Sequence, residues 1–294
     1  MNSPARPVFR FAPSPNGELH LGHACSALLN SDLAAALHGR LLLRIEDIDI
    51  TRCTPAFEAA LLRDLAWLGI GWEEPVRRQS EHFGEYRVLL QRLVDEDLVY
   101  PAFMSRGEIR AHIAQVETSG GRWPRDPDGA PLYPAADKTL SRAERQRRID
   151  SGMPFAWRLD MDAALARVAA PLSWQEFSDM TLAVAETVTA RPQDWGDVVI
   201  ARREIPTSYH LSVIVDDALQ GISHVVRGRD LYFATAVQRL LQTLLGLPEP
   251  RYFHHRLILG PDGRKLSKSL GDSGLAALRA NGVTPEEIRR MVGL

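Results

Sequence analysis

The chain has only two cysteines in 294 residues, Cys25 and Cys53. That excludes a disulfide framework and a four-sulfur metal site. No apolar run reaches the ~18 residues that a membrane-spanning helix needs. The N-terminus, MNSPARPVFRF, has no apolar signal core. No membrane partner is expected, and the chain reads as cytoplasmic. It also lacks an excess of charge. A formal net charge of −2 excludes a generic nucleic-acid coat, leaving only a local patch such as Arg142, Arg145, Arg147 and Arg148. Internal repeats, heptads and low-complexity tracts are absent. What remains is ordinary globular composition, 45% hydrophobic and 24% charged, with length for one large core or a core plus an inserted unit.

The pattern opens as β-α-β-α. Val8 to Ala12 reads as a strand entering the turn PSPNG, and a helix from about Leu19 to Leu37 stops at Gly39. Leu41 to Ile45 is a buried-type strand that leads into Glu46-Asp-Ile-Asp49. Pro55 opens a helix with Phe57, Leu61, Leu62, Leu65 and Leu68 at helical spacing, and another runs from about Glu81 to Leu98. This order predicts a parallel sheet with crossover helices. Regularity fails between about Pro101 and Pro192, where a basic helix (Ser141–Ile149) and a strand (Phe155–Leu159) stand among loops. The α/β pattern resumes with strand-like runs at Asp197–Ile200, Ser212–Val215 and His224–Val226, then a helix over Asp230–Leu245 and a hairpin signal at Asp262-Gly263. The expected organisation is a first half of a nucleotide-binding domain (1–100), an inserted subdomain (101–191), a second half (192–272) and a short helical tail (273–294).

Two short motifs carry the chemistry. His20-Leu-Gly-His23 follows a strand and a small-residue loop and sits where a helix begins, so free N–H groups and the helix dipole face any phosphate there. The imidazoles can donate to ATP phosphate oxygens, and Gly22 leaves room against the backbone. Lys265-Leu-Ser-Lys-Ser269 puts two ammonium groups on a small loop, able to neutralise charge that builds on the α-phosphate and pyrophosphate. Alone, the first motif reads as surface histidines and the second as a solvated turn. Their order, about 240 residues apart and opening and closing an α/β pattern, is what a nucleotide-binding crevice requires.

Arg10-Phe-Ala-Pro-Ser-Pro-Asn-Gly17, His20–His23, Arg44-Ile-Glu-Asp-Ile-Asp49 and Lys265–Ser269 together resemble the catalytic domain of class I glutamyl-tRNA synthetases, from about Val8 to Leu270 and most faintly between Gly107 and Gly152. The resemblance implies a Rossmann-like parallel-sheet catalytic domain with an inserted α+β subdomain. It implies catalytic roles for His20, His23, Lys265 and Lys268. ATP would be held by His20, Gly22, His23, Lys265, Ser267 and Lys268, with Mg²⁺ on its phosphates. An L-glutamate pocket would comprise Arg10, Phe11, Ala12, Pro13, Ser14, Glu46, Tyr209 and Arg227. The residue types suit it: guanidinium forks for carboxylates, an acceptor-only Glu46 for the ammonium, and a tyrosine hydroxyl.

Only Leu270 to Leu294 follow the lysine motif, so no anticodon-binding domain is expected. With the stretch Val198–His210, this resembles the truncated glutamyl-Q tRNA(Asp) synthetase branch. That implies activation of glutamate without tRNA, then transfer to queuosine in the anticodon loop of tRNA-Asp by a monomer. A short synthetase charging a tRNA 3′ end, or a non-catalytic RNA- or nucleotide-binding paralogue, is the alternative. Many members carry a Cys-x-Cys…Tyr-x-x-x-Cys zinc site. Here Ala102, Met104 and Asp137 stand at the cysteine positions, so no zinc is expected and packing by Phe103, Met104, Trp123 and Tyr133 should replace it. His254 and His255 read as packed or surface residues, and Trp157 and Trp174 as core.

Overall fold

The computed structural model describes residues 6–260, 264 and 274–294. β1 (Val8–Phe11) is buried along its length and enters the Pro13–Gly17 loop. α1 (Leu21–Ala36) follows, rich in alanine and buried through Ala24, Leu28 and Ala27. It ends at Leu37, and His38 (φ 50°) takes the left-handed position expected of Gly39. Gly39 is needed for a different reason. A Cβ there would stand 2.7 Å from the Pro7 carbonyl, which accepts the Arg40 N–H at 2.8 Å.

β2 (Arg40–Ile45) pairs parallel with β1. α2 (Pro55–Trp67) is capped by Thr54, whose hydroxyl accepts the Phe57 N–H, and starts on proline. β3 (Glu73–Arg78), unforeseen because EEPVRR is polar and holds a proline, pairs parallel with β2 as an edge strand. α3 is Phe83–Asp95, preceded by a 3₁₀ turn. β4 (Val99–Ala102) begins an antiparallel sheet that also takes in β5 (Ala156–Leu159) and β8 (Val199–Arg202). Between β4 and β5 lie α4 (Arg106–Thr118) and α5 (Arg142–Asp150), and α6 (Met161–Ala166) follows β5.

β6 (Ser173–Phe177) and β7 (Ala185–Thr189) fall in the stretch expected to be irregular. β6 nevertheless pairs with β10 (Arg251–His255), which pairs parallel with β9 (His224–Gly228). Ser212–Val215, expected as a strand, lies inside α7 (Tyr209–Leu219). That helix is buried nearly all round, so a short run of β-branched residues carried no period to separate helix from strand. α8 (Thr235–Leu245) connects β9 to β10. The short helices α9 (Leu275–Ala280) and α10 (Pro285–Val292) return to the first half. Arg279 pairs with Asp64 of α2 at 2.7 Å, and Arg289 with Asp32 of α1 at 2.8 Å.

The chain runs outward from β1 to β2 and β3, and later outward from β9 to β10. β1 and β9 are tied where these halves meet: Ser223 N–H donates to Val8 O at 3.1 Å, and the Val8 N–H to Ser223 Oγ at 2.8 Å. Asn30 of α1 fixes the junction from one face, donating to Val226 O at 3.0 Å. This is a topological switch point, and ligands of open α/β sheets bind beyond the strand ends there.

Candidate active site

A cleft of about 1430 Å³ opens at that point. Arg10, Phe11, Ala12, Pro13 and Ser14 line it from the end of β1, Glu46 from the end of β2, Tyr209 from the first residue of α7 and Arg227 from β9. His20, Gly22 and His23 line it from the start of α1. The cleft thus gathers every residue assigned from sequence to glutamate and three of those assigned to ATP. Lys265, Ser267, Lys268 and the Asp262-Gly263 turn lie outside the described residues.

The histidines do more than sit in the first turn. His20 is the N-cap of α1: its Nδ1 accepts the Gly22 N–H at 3.1 Å, while His23 Nδ1 accepts the His20 N–H at 3.2 Å. This is a capping box built from two imidazoles. Because both Nδ1 atoms accept, each neutral ring carries its proton on Nε2 and is a donor there. Gly22 serves this arrangement, since a Cβ would come within 3.0 Å of the His20 ring.

Beneath the cleft lies a buried charge network that sequence reading did not find. Asp217 Oδ1 accepts from Arg10 Nε at 3.2 Å and Arg44 Nη1 at 2.8 Å. Arg44, with no exposed surface, also donates to Glu46 Oε1 at 3.1 Å and Gln220 Oε1 at 2.9 Å. Asp216 takes Arg77 Nε and Gln79 Nε2, each at 2.8 Å, and the Tyr86 hydroxyl at 2.9 Å. Burial pushes Asp217 up, but Arg10 and Arg44 outweigh it and hold its carboxyl below the usual range. At Glu46 burial wins over Arg44 and Arg10, and the carboxyl is raised.

The two candidate carboxylate-binding arginines differ. Among the described residues Arg10 is bonded through Nε alone, leaving both terminal nitrogens for a ligand. Arg227 is nearly consumed: Nε donates to His254 Nε2 at 3.0 Å, Nη2 to Leu231 O at 3.2 Å and Thr235 Oγ1 at 2.8 Å, and Nη1 to the Tyr209 hydroxyl at 3.2 Å. It offers one Nη1 N–H rather than a two-pronged fork. The Tyr209 hydroxyl, accepting from Arg227, keeps its own proton to donate, and burial raises its pKa. His254 is therefore part of the site's framework, buried beside Arg227 in the β9–β10 register.

Each arginine of the basic stripe has a local partner. Arg147 and Arg148 pair with Glu144, Arg145 donates to Lys138 O and lies over the Tyr100 ring, and Arg142 stands 3.6 Å from Asp97. At the positions compared with zinc ligands, Asp137 accepts the Tyr133 hydroxyl and the Phe103 N–H. Tyr100, Ala102 and Tyr133 pack there with Met104 and Ile109. Phe103 turns to Phe155, and Trp123 packs against His112. Trp174 is buried, and Trp157 is partly buried against the second core.

A parallel sheet whose switch point opens beside a histidine-capped helix is the architecture of a class I synthetase catalytic domain. The family model "tRNA synthetases class I (E and Q), catalytic domain" matches residues 8–294. A glutamyl-Q tRNA(Asp) synthetase of Rhodobacter capsulatus is 45% identical over 98% of this chain and 100% of its own. One from Symbiobacterium thermophilum is 38% identical over 95% of this chain and 83% of its own. The crystal structure of glutamate-tRNA synthetase from Elizabethkingia anophelis superposes with a TM-score of 0.73 at 27% identity, over 91% of this chain and 54% of that one. The chain belongs to the class I glutamate and glutamine tRNA synthetase family, on its glutamyl-Q tRNA(Asp) synthetase branch, and is a ligase of that type with ATP as a substrate.

Proposed function

We infer that this ligase activates L-glutamate with ATP, without tRNA, and transfers it to queuosine in the anticodon loop of tRNA-Asp. The observation that carries the reading is the convergence of Arg10, Glu46, Tyr209 and Arg227 on one cleft, next to the His20–His23 turn. Arg10 and Arg227 suit the two substrate carboxylates, and Glu46 suits the ammonium. The donor edges of His20 and His23 suit the triphosphate, together with Lys265, Ser267 and Lys268; Mg²⁺ would accompany the phosphates. Phe11, Ala12, Pro13 and Ser14 form the wall along which the substrate lies.

In the first step a carboxylate oxygen of glutamate bonds to the α-phosphorus in line, and the bond to pyrophosphate breaks. A queuosine hydroxyl then bonds to the acyl carbon, and AMP departs. No side chain is modified; positioning and charge neutralisation lower the barrier. The full-length match to the Rhodobacter capsulatus relative supports tRNA-Asp as the acceptor. The test is transfer of labelled glutamate to purified tRNA-Asp with and without queuosine, in ATP and Mg²⁺. Label on the modified tRNA alone is expected. Label on neither form, or on the 3′ end of tRNA-Glu, would overturn the reading.

A further inference from the structure

A second cavity, about 490 Å³, adjoins the first and shares Ser14, Glu46, Arg52 and Tyr209 with it. Its volume is that of a small-ligand site. Two buried polar atoms of its lining, Ser208 Oγ and His210 Nδ1, have no hydrogen-bond partner among the described residues. Such orphans cost stability unless a ligand or water meets them. Its walls include flat groups: Trp195 stands edge-on to His210 with ring centroids 5.9 Å apart, and the Arg158 guanidinium lies 3.9 Å over the Tyr133 ring. Flat rings and a stacked guanidinium are what an unstacked nucleobase packs against.

We propose that this cavity receives the acceptor nucleoside, with its planar base between the aromatic walls and a vicinal diol directed across the Ser14–Tyr209 partition at the glutamyl carbonyl. Ser208 and His210 are the positioning residues for the diol. The assignment rests on the function proposed above and names its acceptor subsite. It follows from the shared partition: a hydroxyl must reach the acyl carbon while glutamyl-adenylate fills the main cleft. The hydroxyl oxygen bonds to the acyl carbon, the bond from that carbon to the AMP oxygen breaks, and the hydroxyl proton passes to the departing phosphate. Burial, aided by Arg227, holds His210 down at about 4, so it meets the diol as a neutral ring. A vicinal diol is carried by the cyclopentene ring of queuosine and by a 3′-terminal ribose, and the experiment separates them.

Two variants test it, His210→Phe, which keeps the ring shape, and Ile205→Trp, which fills the cavity from a surface turn. Transfer to queuosine-bearing tRNA-Asp should fall about tenfold or more relative to glutamate-dependent ATP–pyrophosphate exchange in both. Calorimetric titration with free queuosine nucleoside should show binding to the unmodified enzyme and none to Ile205→Trp, with adenosine as the terminal-ribose probe and guanosine as the base without a cyclopentene diol. A parallel fall of transfer and exchange, or transfer unchanged in both variants, overturns the assignment. If the unmodified enzyme charges a 3′ end instead, queuosine as acceptor fails, and the same ratio measured on that tRNA decides the cavity. If it charges nothing, the nucleoside titration decides.

Discussion

His254 Nε2 accepts the Nε–H of Arg227 at 3.0 Å while its Nδ1 lies 2.9 Å from Glu176 Oε2. An arginine Nε can only donate, so the imidazole carries its proton on Nδ1 and gives it to Glu176. Burial, opposed by Glu176 and reinforced by Arg227, holds His254 down at about 4, so the ring is neutral near pH 7. Glu176 and His254 thus fix the plane of Arg227 from strands β6 and β10. Replacing His254 by Leu would leave a buried, charged N–H unsatisfied, at a cost of about 1–3 kcal/mol. The expected result is a rise of roughly 5- to 150-fold in the KM for glutamate in pyrophosphate exchange, a smaller change in kcat, and partial rescue by His254→Gln. An unchanged KM with only a lower melting temperature would make the histidine structural alone.

Glu46 gives a pH dependence of definite sign. Burial raises its carboxyl pKa in the folded chain, so its contribution to stability is present below the ordinary carboxylate pKa and lost as pH rises through the raised value. Once ionised the side chain is a cost to stability, and in the proposed function it serves the substrate's ammonium. Glu46→Gln preserves an acceptor for Arg44, which retains Asp217 as counter-charge. The variant should melt no lower than the parent at pH 7, yet its KM for glutamate should rise about tenfold or more. In the parent, KM should climb as pH falls from neutral, and in the variant that climb should vanish. Equal pH profiles would remove Glu46 from ammonium binding.

The contiguous motifs explain why so much of the cleft was legible. Arg10–Ser14 and His20–His23 flank one strand-to-helix turn, so their proximity is local, and Glu46 ends the neighbouring strand. Arg44, Asp216 and Asp217 were not legible. Their partners lie on elements up to 207 residues away, and an Asp-Asp pair in a helix looks like a solvated end until the helix is seen to be buried. The same burial disguised Ser212–Val215 as a strand. β3 escaped because an edge strand needs no apolar alternation when one side meets only solvent. His254 read as packing, which it is, but its register beside Arg227 depends on a parallel pairing that no local pattern announces.

The inserted region should stand on Asp137 rather than on a metal. Its carboxylate accepts from Tyr133 and the Phe103 N–H and faces Arg148 at 3.5 Å, within a cluster too small to lose its acceptor cheaply. Asp137→Ala strands a buried hydroxyl and a partly buried amide, the hydroxyl alone costing about 1–3 kcal/mol. Limited proteolysis should then cut faster between residues 101 and 160, with glutamate activation less affected than transfer. A strong chelator should leave the parent's melting temperature where it was. A chelator-induced drop would assign the region's cohesion to a metal instead.

At His20 the cap and the chemistry can be separated. The Nδ1 atom closes the helix, and Nε2 carries the proton that the proposed function directs at phosphate. Asparagine is among the best N-caps, so His20→Asn should keep α1 and change stability by no more than about 0.5 kcal/mol, whereas His20→Ala should lose about 1 kcal/mol. Neither has an imidazole donor, so both should lose adenylate formation to a similar degree, by about 10²-fold if one transition-state hydrogen bond is removed. Denaturant midpoints and pyrophosphate exchange on the same three proteins read the two effects independently. Activity that followed stability, preserved in Asn and lost in Ala, would mean that His20 acts only by holding the helix, and the phosphate-binding role would pass to His23 alone.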